Sequence, residues 1–298
     1  MSWKTVIIGA ECKVSLDTNR MKITIDNEYH NIPLTDLDTV IFSHNKTVIT
    51  IPLLAKLVEN NVNVVICDRK NDPIGVFQGF NTHSLVFKQL DKQINWKVTR
   101  KKKLWKKIVE QKIQTEIDVL TLLELDSDVI EKLKVYKNSI YNDDQTNREA
   151  VSARLYYNTL FGENFTRDDL CAQNFALNYG YKIIASYISK CIVSRGLVTQ
   201  LGIHHIGESN AFNLTYDFIE PFRAIVDAWV YVNVDDSFGP AEKRELIDLL
   251  QSRIVCNNKW YRLNDAIEMM VDTYVSFLCG ENNLMMLDLS KGIQTDVE

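Results

Sequence analysis

Val109-Glu-Gln-Lys-Ile113-Gln-Thr-Glu-Ile117-Asp-Val-Leu120-Thr-Leu-Leu123 puts apolar residues three and four apart over several turns, the spacing of a helix with one buried face. Nothing before it has this period. Up to about residue 88 the apolar residues fall in short runs at 5–8, 13–16, 21–25, 39–42, 48–51, 62–66 and 74–77. Each is rich in β-branched residues and bounded by Asn, Asp, Gly or Pro, so each predicts a strand. One insert differs. Pro52-Leu-Leu-Ala-Lys-Leu-Val-Glu-Asn60 carries a proline in its first turn and Leu53, Leu54, Leu57 and Val58 at helical spacing, predicting a short helix packed on the sheet. After Pro73 come 147 residues without a proline, ending at Pro221. Helices are predicted there and beyond, near 128–137, 147–161, 172–194, 215–232, 240–252 and 264–279. The fold class is therefore α+β. A small N-terminal β-sheet or β-sandwich domain with a short helix covers 1–88, a polar linker 89–96, a larger all-α domain 97–288 and a loose tail 289–298.

The 298 residues are 46% hydrophobic and 24% charged, the composition of a globular protein, which excludes disordered and fibrous classes. With 11 glycines and 5 prolines, long regular elements with few linkers are expected. The longest stretch without Asp, Glu, Lys or Arg is the 15 polar-studded residues from Pro73 to Phe87, too short to span a bilayer, so no membrane partner is expected. The first residues, Met-Ser-Trp-Lys, lack an apolar signal core, and a cytoplasmic location is expected. Six cysteines lie at least 20 residues apart with no C-x-x-C pair, as expected for free, mostly buried thiols in a reducing compartment.

The net charge of −5 is unevenly distributed. Lys92 to Lys112 holds nine basic residues against the single acid Glu110. A local basic footprint on an acidic body suggests an anionic partner. Its densest part, Lys97-Val-Thr-Arg100-Lys-Lys-Lys103-Leu-Trp105-Lys-Lys107, would start a helix, where the dipole disfavours cations and something anionic should compensate them. A projecting, solvated helix end is the competing reading.

No G-x-G-x-x-G, G-x-x-x-x-G-K-[ST], H-E-x-x-H, EF-hand loop or G-x-S-x-G occurs, so dinucleotide, P-loop, zincin, calcium-sensor and nucleophile-elbow readings have no support. What remains is Gly202-Ile-His-His205 followed by Asp217 and Glu220, three apart and so on one helix face, with Glu149 opening a helix elsewhere. An imidazole and two or three carboxylates could meet at one point. Duller readings exist. Thr146-x-x-Glu149 fits a capping box, and on spacing alone the cap stands ahead. The two histidines could pair within a loop, Asp217 and Glu220 could be first-turn acids, and Arg223 with Asp227 reads as an i, i+4 ion pair. Tyr156, Tyr157, Leu160 and Phe161 read as core.

Taken together, Asn147-Arg-Glu149-x-x-x-Ala-Arg154-x-Tyr-Tyr-x-x-Leu-Phe-Gly162, Tyr179-Gly-Tyr181, His205 and Asn213-x-x-x-Asp217-x-x-Glu220-Pro-Phe-Arg223 resemble the CRISPR-associated integrase family (Cas-one), closest to type II members. The likeness runs to about residue 288 and includes Asp38-Thr-Val-Ile-Phe and Val64-Val-Ile-Cys-Asp68 in the β domain. It implies a metal-dependent DNA endonuclease and integrase that joins prespacer 3′-hydroxyl ends to the CRISPR repeat by transesterification. It also implies that Glu149, His205 and Glu220 are catalytic and hold magnesium or manganese, with Asp217 accessory. His204 is the alternative to His205, and the resemblance overrides the capping-box reading of Glu149. The implied partners are double-stranded DNA (prespacer and leader-repeat), a second copy through the β domain, and a small ferredoxin-like protein (Cas-two) bridging two dimers. In type II systems the effector nuclease and a ring-shaped accessory protein take part as well. Arg100, Lys101, Lys102, Lys103, Lys106, Lys107 and Arg154 would hold the DNA backbone. Two other readings compete: a non-catalytic nucleic-acid-binding regulator with a β ligand-binding domain, and a small-molecule metallohydrolase with no use for the basic run.

Overall fold

The computed structural model describes residues 4–26, 28–69, 73–77, 79, 84–141 and 144–294. They divide into two compact units, one reaching to Phe87 with Val193–Leu197 added, the other formed by Lys88–Ile192 and the chain from Val198 on.

The first unit is built from strands β1 (Lys4–Ile8), β2 (Lys13–Asp17), β3 (Arg20–Ile25), β4 (Glu28–Pro33), β5 (Leu37–Phe42) and β6 (Val48–Ile49), helix α1 (Ile51–Glu59), and strands β7 (Asn63–Cys67) and β8 (Pro73–Phe77). They form two four-stranded sheets, ordered β1-β5-β7-β8 and β4-β3-β2-β6. In the first sheet β5 lies parallel to both neighbours, Val40 opposite Val6 and Val64. All six of its residues are buried, as expected of a strand covered on both faces. In the second, β2 and β3 pair antiparallel, and Val14 and Met21 point into the core. Leu53 and Leu57 of α1 join Val14, Met21, Val40 and Val64 in one cluster, so both sheets and the helix share a single core. The strand β4 is an addition to the expected set: Glu-Tyr-His-Asn-Ile-Pro is half exposed and half partly buried, and carries no apolar alternation.

The second unit is helical. It contains α2 (Val86–Ile94, whose first two residues fall in the other unit), α3 (Val98–Leu122), α4 (Ser127–Asn138), α5 (Arg148–Phe161), α6 (Ala172–Ser194, whose last two residues fall in the other unit), α7 (Asn213–Ile219), α8 (Arg223–Asn233), α9 (Pro240–Asp248) and α10 (Leu263–Cys279). The expected linker 89–96 thus lies largely within α2. A small antiparallel sheet of β9 (Arg253–Cys256), β10 (Lys259–Arg262) and β11 (Leu287–Asp288) also belongs here, so the second domain is not purely α. The helix at the centre is α3, which packs against α4, α5, α7, α8, α10 and β11. From Gln111 to Leu120 every residue but Gln114 is buried.

Two local features fix how α6, α7 and α8 lie. The expected helix over 215–232 is interrupted, because Pro221 has no N–H to continue the ladder, and Glu220–Phe222 form a 3-10 turn between α7 and α8. At Gly180 of α6 a Cβ would lie 2.5 Å from Val226 Cγ1 of α8, so only glycine allows these helices to approach this closely.

The tail beyond 288 departs from expectation. Leu289 is fully buried, its N–H donates to Asp118 Oδ2 at 3.1 Å, and Arg253 bridges Gln294. Residues 295–298 lie outside the described residues. Among the described residues no helix is long and apolar enough to cross a membrane. Leu289→Ala is expected to lower unfolding free energy by about 2–5 kcal/mol in a denaturant titration. An unchanged midpoint would mean that the tail is loose after all.

Candidate active site

Helix α5 opens on Arg148-Glu149, and its cap comes from outside the expected box. The carboxylate of Asp144 accepts the backbone N–H groups of Arg148 and Glu149, both at 2.9 Å. Asn147, at the N-cap position, sits at φ 51 and makes no side-chain cap bond. The Thr146–Glu149 capping box is therefore not what holds this helix, and the Glu149 carboxylate is left to turn inward. There its Oε1 accepts a hydrogen bond from Lys112 Nζ at 2.8 Å.

The same ammonium lies 2.6 Å from Oε2 of Glu220. That contact is a close ion pair, and Oε2 has no other partner. The other oxygen, Oε1, accepts from Arg223 Nε at 3.0 Å, and the Arg223 guanidinium lies 4.6 Å from the centre of the Tyr181 ring. Burial alone would push the Glu220 carboxyl up, but Arg223 and Lys112 outweigh it and hold it at about 2. Arg223 thus pairs with Glu220 and not, as its spacing suggested, with Asp227, which accepts instead from the Tyr181 hydroxyl.

The imidazole arrives on a loop that is wound around one acid. Asp217 of α7 is completely buried and accepts the backbone N–H of Ile203 at 2.6 Å, His204 at 3.2 Å and His205 at 3.0 Å. Its Oδ1 also lies 2.8 Å from Nδ1 of His205. The turn requires Gly202, where a Cβ would collide with the His205 carbonyl and lie 2.7 Å from Asp217 Oδ2. Both Asp217 oxygens are engaged by this loop, so the acid orients the histidine, and Nε2 is the ring nitrogen left to face a ligand. The hydrogen bond to Asp217 raises the pKa of His205 against the opposing effect of burial, and the charges of Asp217, Glu220 and Glu149 add to the rise. His204 is placed differently: its ring stacks on Trp105 at 4.1 Å and 4°. Trp105, fully buried, meets His205 edge-on at 5.7 Å.

Among the described residues no three His, Cys, Asp or Glu side chains are close enough to hold an ion. A lysine ammonium stands between the two glutamates instead. The donor chemistry nevertheless fits a hard or borderline divalent cation: two carboxylates, one with an oxygen whose only partner is the ammonium, and an imidazole whose tautomer is set by a buried acid.

The basic run lies on α3 as expected, but part of it is compensated within the chain. Arg100 donates to the carbonyls of Phe277 (3.3 Å), Gly280 (2.8 Å) and Glu281 (2.8 Å) at the end of α10. It caps that helix, where a cation is favoured, so its charge is engaged within the chain. Lys106 and Lys107 pair with Glu110 at 3.6 and 2.7 Å. Lys101 lines a pocket of about 540 Å³ that also includes Gln93 and His205. Lys103 and Arg154 are exposed and Lys102 is half-buried.

Sequence reasoning missed Lys112, Asp144, Trp105 and Gly202 as parts of the site. Lys112 had a signal. Counted at 100° per residue, it and Glu116 flank the stripe of Val109, Ile113 and Leu120 on the side that carries Trp105 and Ile108, where a charged residue has to find a buried partner.

Residues 5–236 match the family described as CRISPR associated protein Cas1. The chain is 33% identical over 288 residues to the CRISPR-associated endonuclease Cas1 of Neisseria meningitidis serogroup C (strain 8013), covering 95% of this chain and 94% of that one. Its fold is similar to that of a casposase bound to integration product, with a TM-score of 0.74 at 20% identity over 97% of this chain and 94% of the other. It is also similar to a chain of a Cas6-RT-Cas1–Cas2 complex, with a TM-score of 0.72 at 16% identity, covering 99% of this chain and 36% of that longer one. The protein belongs to the CRISPR-associated Cas1 family.

Asp217→Asn replaces one acceptor oxygen by a donor in the middle of the loop. It is expected to cost about 1–3 kcal/mol of stability in thermal or chemical unfolding. The His205 pKa, followed by NMR, is expected to fall; if it stays raised, Asp217 does not orient that ring.

Proposed function

We propose that this protein is a divalent-metal-dependent DNA endonuclease and integrase of CRISPR adaptation, joining prespacer 3′-hydroxyl ends to the repeat. The single observation that supports this most is the meeting of Glu149 and Glu220 on one ammonium, and His205, its ring oriented by Asp217, is the nitrogen donor of the same proposal. Glu149, His205 and Glu220 are the residues that would hold magnesium or manganese. When bound, the ion would supply Lewis-acid stabilisation of charge on the phosphodiester oxygens.

The chain's own residues do the rest. Arg223 keeps Glu220 ionised, Asp217 fixes the tautomer and direction of His205, and Asp144 holds the first turn of α5 so that Glu149 faces inward. The reaction needs no protein nucleophile. The oxygen of the prespacer 3′-hydroxyl attacks phosphorus, the 3′-oxygen of the repeat strand leaves, and one phosphodiester replaces another, so no energy source is consumed. Lys101, Lys102 and Lys103, with Lys106, Lys107 and Arg154 around them, would hold the DNA backbone and contribute position and salt dependence rather than sequence choice. Pairing of two copies through the β unit, and bridging of two such dimers by Cas-two, belong to the same proposal. It draws support from the Cas6-RT-Cas1–Cas2 complex that the fold resembles.

Glu149→Ala and His205→Ala are each expected to lower manganese-dependent strand transfer by more than about a hundredfold, since even the outer partners of a metal ligand are worth 10–100-fold. Duplex binding in a gel-shift assay is expected to survive both changes, and chelation by EDTA to abolish strand transfer. Strand transfer that persists in Glu149→Ala would end the proposal. Reversing the charge of Lys101 and Lys103 is expected to weaken duplex binding uniformly across sequences and to lower the salt slope by about 1 for each phosphate no longer neutralised. An unchanged slope would remove the helix from the DNA path.

A further inference from the structure

Lys112 is a cation in a place that normally excludes one. Its side chain is only 10% exposed, on the buried stripe of α3, and its ammonium touches carboxylate oxygens from two other elements, Glu149 Oε1 and Glu220 Oε2. If those acids ligate a divalent ion, ammonium and ion need the same oxygens, and two cations in contact at a buried site repel strongly. The lysine then has to leave, and a buried ammonium needs another acceptor.

One is at hand. Glu116, four residues on and therefore one turn along the same face, is 3% exposed, and its Oε2 has no hydrogen-bond partner. A buried carboxyl oxygen without a hydrogen-bond partner is costly and calls for an explanation. The flexible four-carbon stem of a lysine can reach either way along a helix face.

We infer that Lys112 is a positioning residue that stands in for the divalent ion in the metal-free protein, holding the Glu149 and Glu220 carboxylates together, and swings one turn along α3 to Glu116 Oε2 when the ion enters. This rests on the reading of Glu149, His205 and Glu220 as metal ligands. The metal-free site is thereby kept from flying apart by self-repulsion of its acids. An ammonium brought into contact favours the ionised form of Glu116, as Lys112 already does against burial, so the displaced charge is compensated and the ion does not have to expel it into an apolar interior.

The test is manganese titration of the full-length protein by calorimetry, with melting temperatures recorded with and without manganese. Lys112→Met removes the competitor. It is expected to bind manganese about tenfold more tightly than wild type, the gain when a competent state populated about one-tenth of the time becomes the only state. Its metal-free melting temperature is expected to fall and its manganese-induced rise to exceed that of wild type. Glu116→Gln removes the perch and is expected to weaken manganese binding about threefold or more in the wild-type background, yet to change nothing in the Lys112→Met background.

If Lys112→Met binds manganese no more tightly than wild type, or if Glu116→Gln leaves wild-type affinity unchanged, the swing is refuted. The Glu116→Gln measurement stands on its own should Lys112→Met not fold. His205→Ala separates this inference from the reading beneath it. Loss of manganese binding in that variant upholds the ligand set whatever Lys112 does, whereas binding equal to wild type overturns both.

Discussion

A charged stripe carried through the centre of a helical core is the constraint that organises the second unit. Helix α3 is enclosed on most sides between Gln111 and Leu120, and it takes Lys112, Glu116 and Asp118 inside with it. A charge removed from water has to be paired, and the pairs it finds come from distant parts of the chain. Lys112 reaches Glu149 of α5 and Glu220 of the 3-10 turn, and Glu220 in turn engages Arg223 at the start of α8. Asp118 accepts from Gln114 and from the backbone of Leu289, and Gln111 binds Leu287 in both directions, N–H to carbonyl and amide oxygen to N–H. The segments that could hold a metal and the segment that closes the chain are therefore fastened to the same helix by the same kind of interaction.

Most of the fold could be read beforehand because periodicity reports burial, and burial here follows the simple periods. The runs of the first unit appear as strands with ends displaced by a residue or two, and Pro52 marks α1 correctly. The failures are those of elements whose pairing is not driven by apolar side chains. Strand β4 is a polar edge that exists because β3 offers it a ladder, from Arg20 opposite Pro33 to Ile25 opposite Glu28. The strands β9 and β10 are four residues each, joined by Asn257 and Asn258 at positive φ, a hairpin too short to show a period. Leu289 sits in a weakly apolar, acidic stretch that looks loose, and only its contact with Asp118 on α3, 171 residues away in sequence, reveals that it is held.

The site was legible in a different way. Glu149, His205 and Glu220 stand out through ordered motifs and a family likeness, since local spacing alone favoured a cap for Glu149 and first-turn roles for the later acids. The groups that position those residues escaped because each acts through tertiary contact. Asp144 takes over the cap, Asp217 gathers three backbone N–H groups and one imidazole nitrogen, and Trp105 covers the histidine pair from below the basic run. Arg100 shows the reverse case. It belongs by sequence to a cationic cluster and by structure to the end of α10, because carbonyls without intrahelical partners are a better acceptor than solvent.

The behaviour of the buried acids shows how one small region sets different charge states on chemically similar groups. Glu220, Glu116 and Asp227 are all enclosed, and burial raises the pKa of each. Only Glu220 touches two cations, and it alone ends below the normal range, at about 2, while Glu116 is pushed up to about 8 and Asp227 to about 7. Distance from Lys112 and Arg223 thus decides which carboxylate stays fully ionised near neutral pH, and desolvation decides the others. Asp227 is further tied to the hydroxyl of Tyr181, which meets that of Tyr157 at 2.8 Å, so the layer behind the candidate ligands is a hydrogen-bonded one with little free charge. Such a layer gives Arg223 an aromatic and polar floor, with the Tyr181 ring 4.6 Å from its guanidinium. The arginine is left to Glu220, and the full negative charge of the region is concentrated at the acids that face the site.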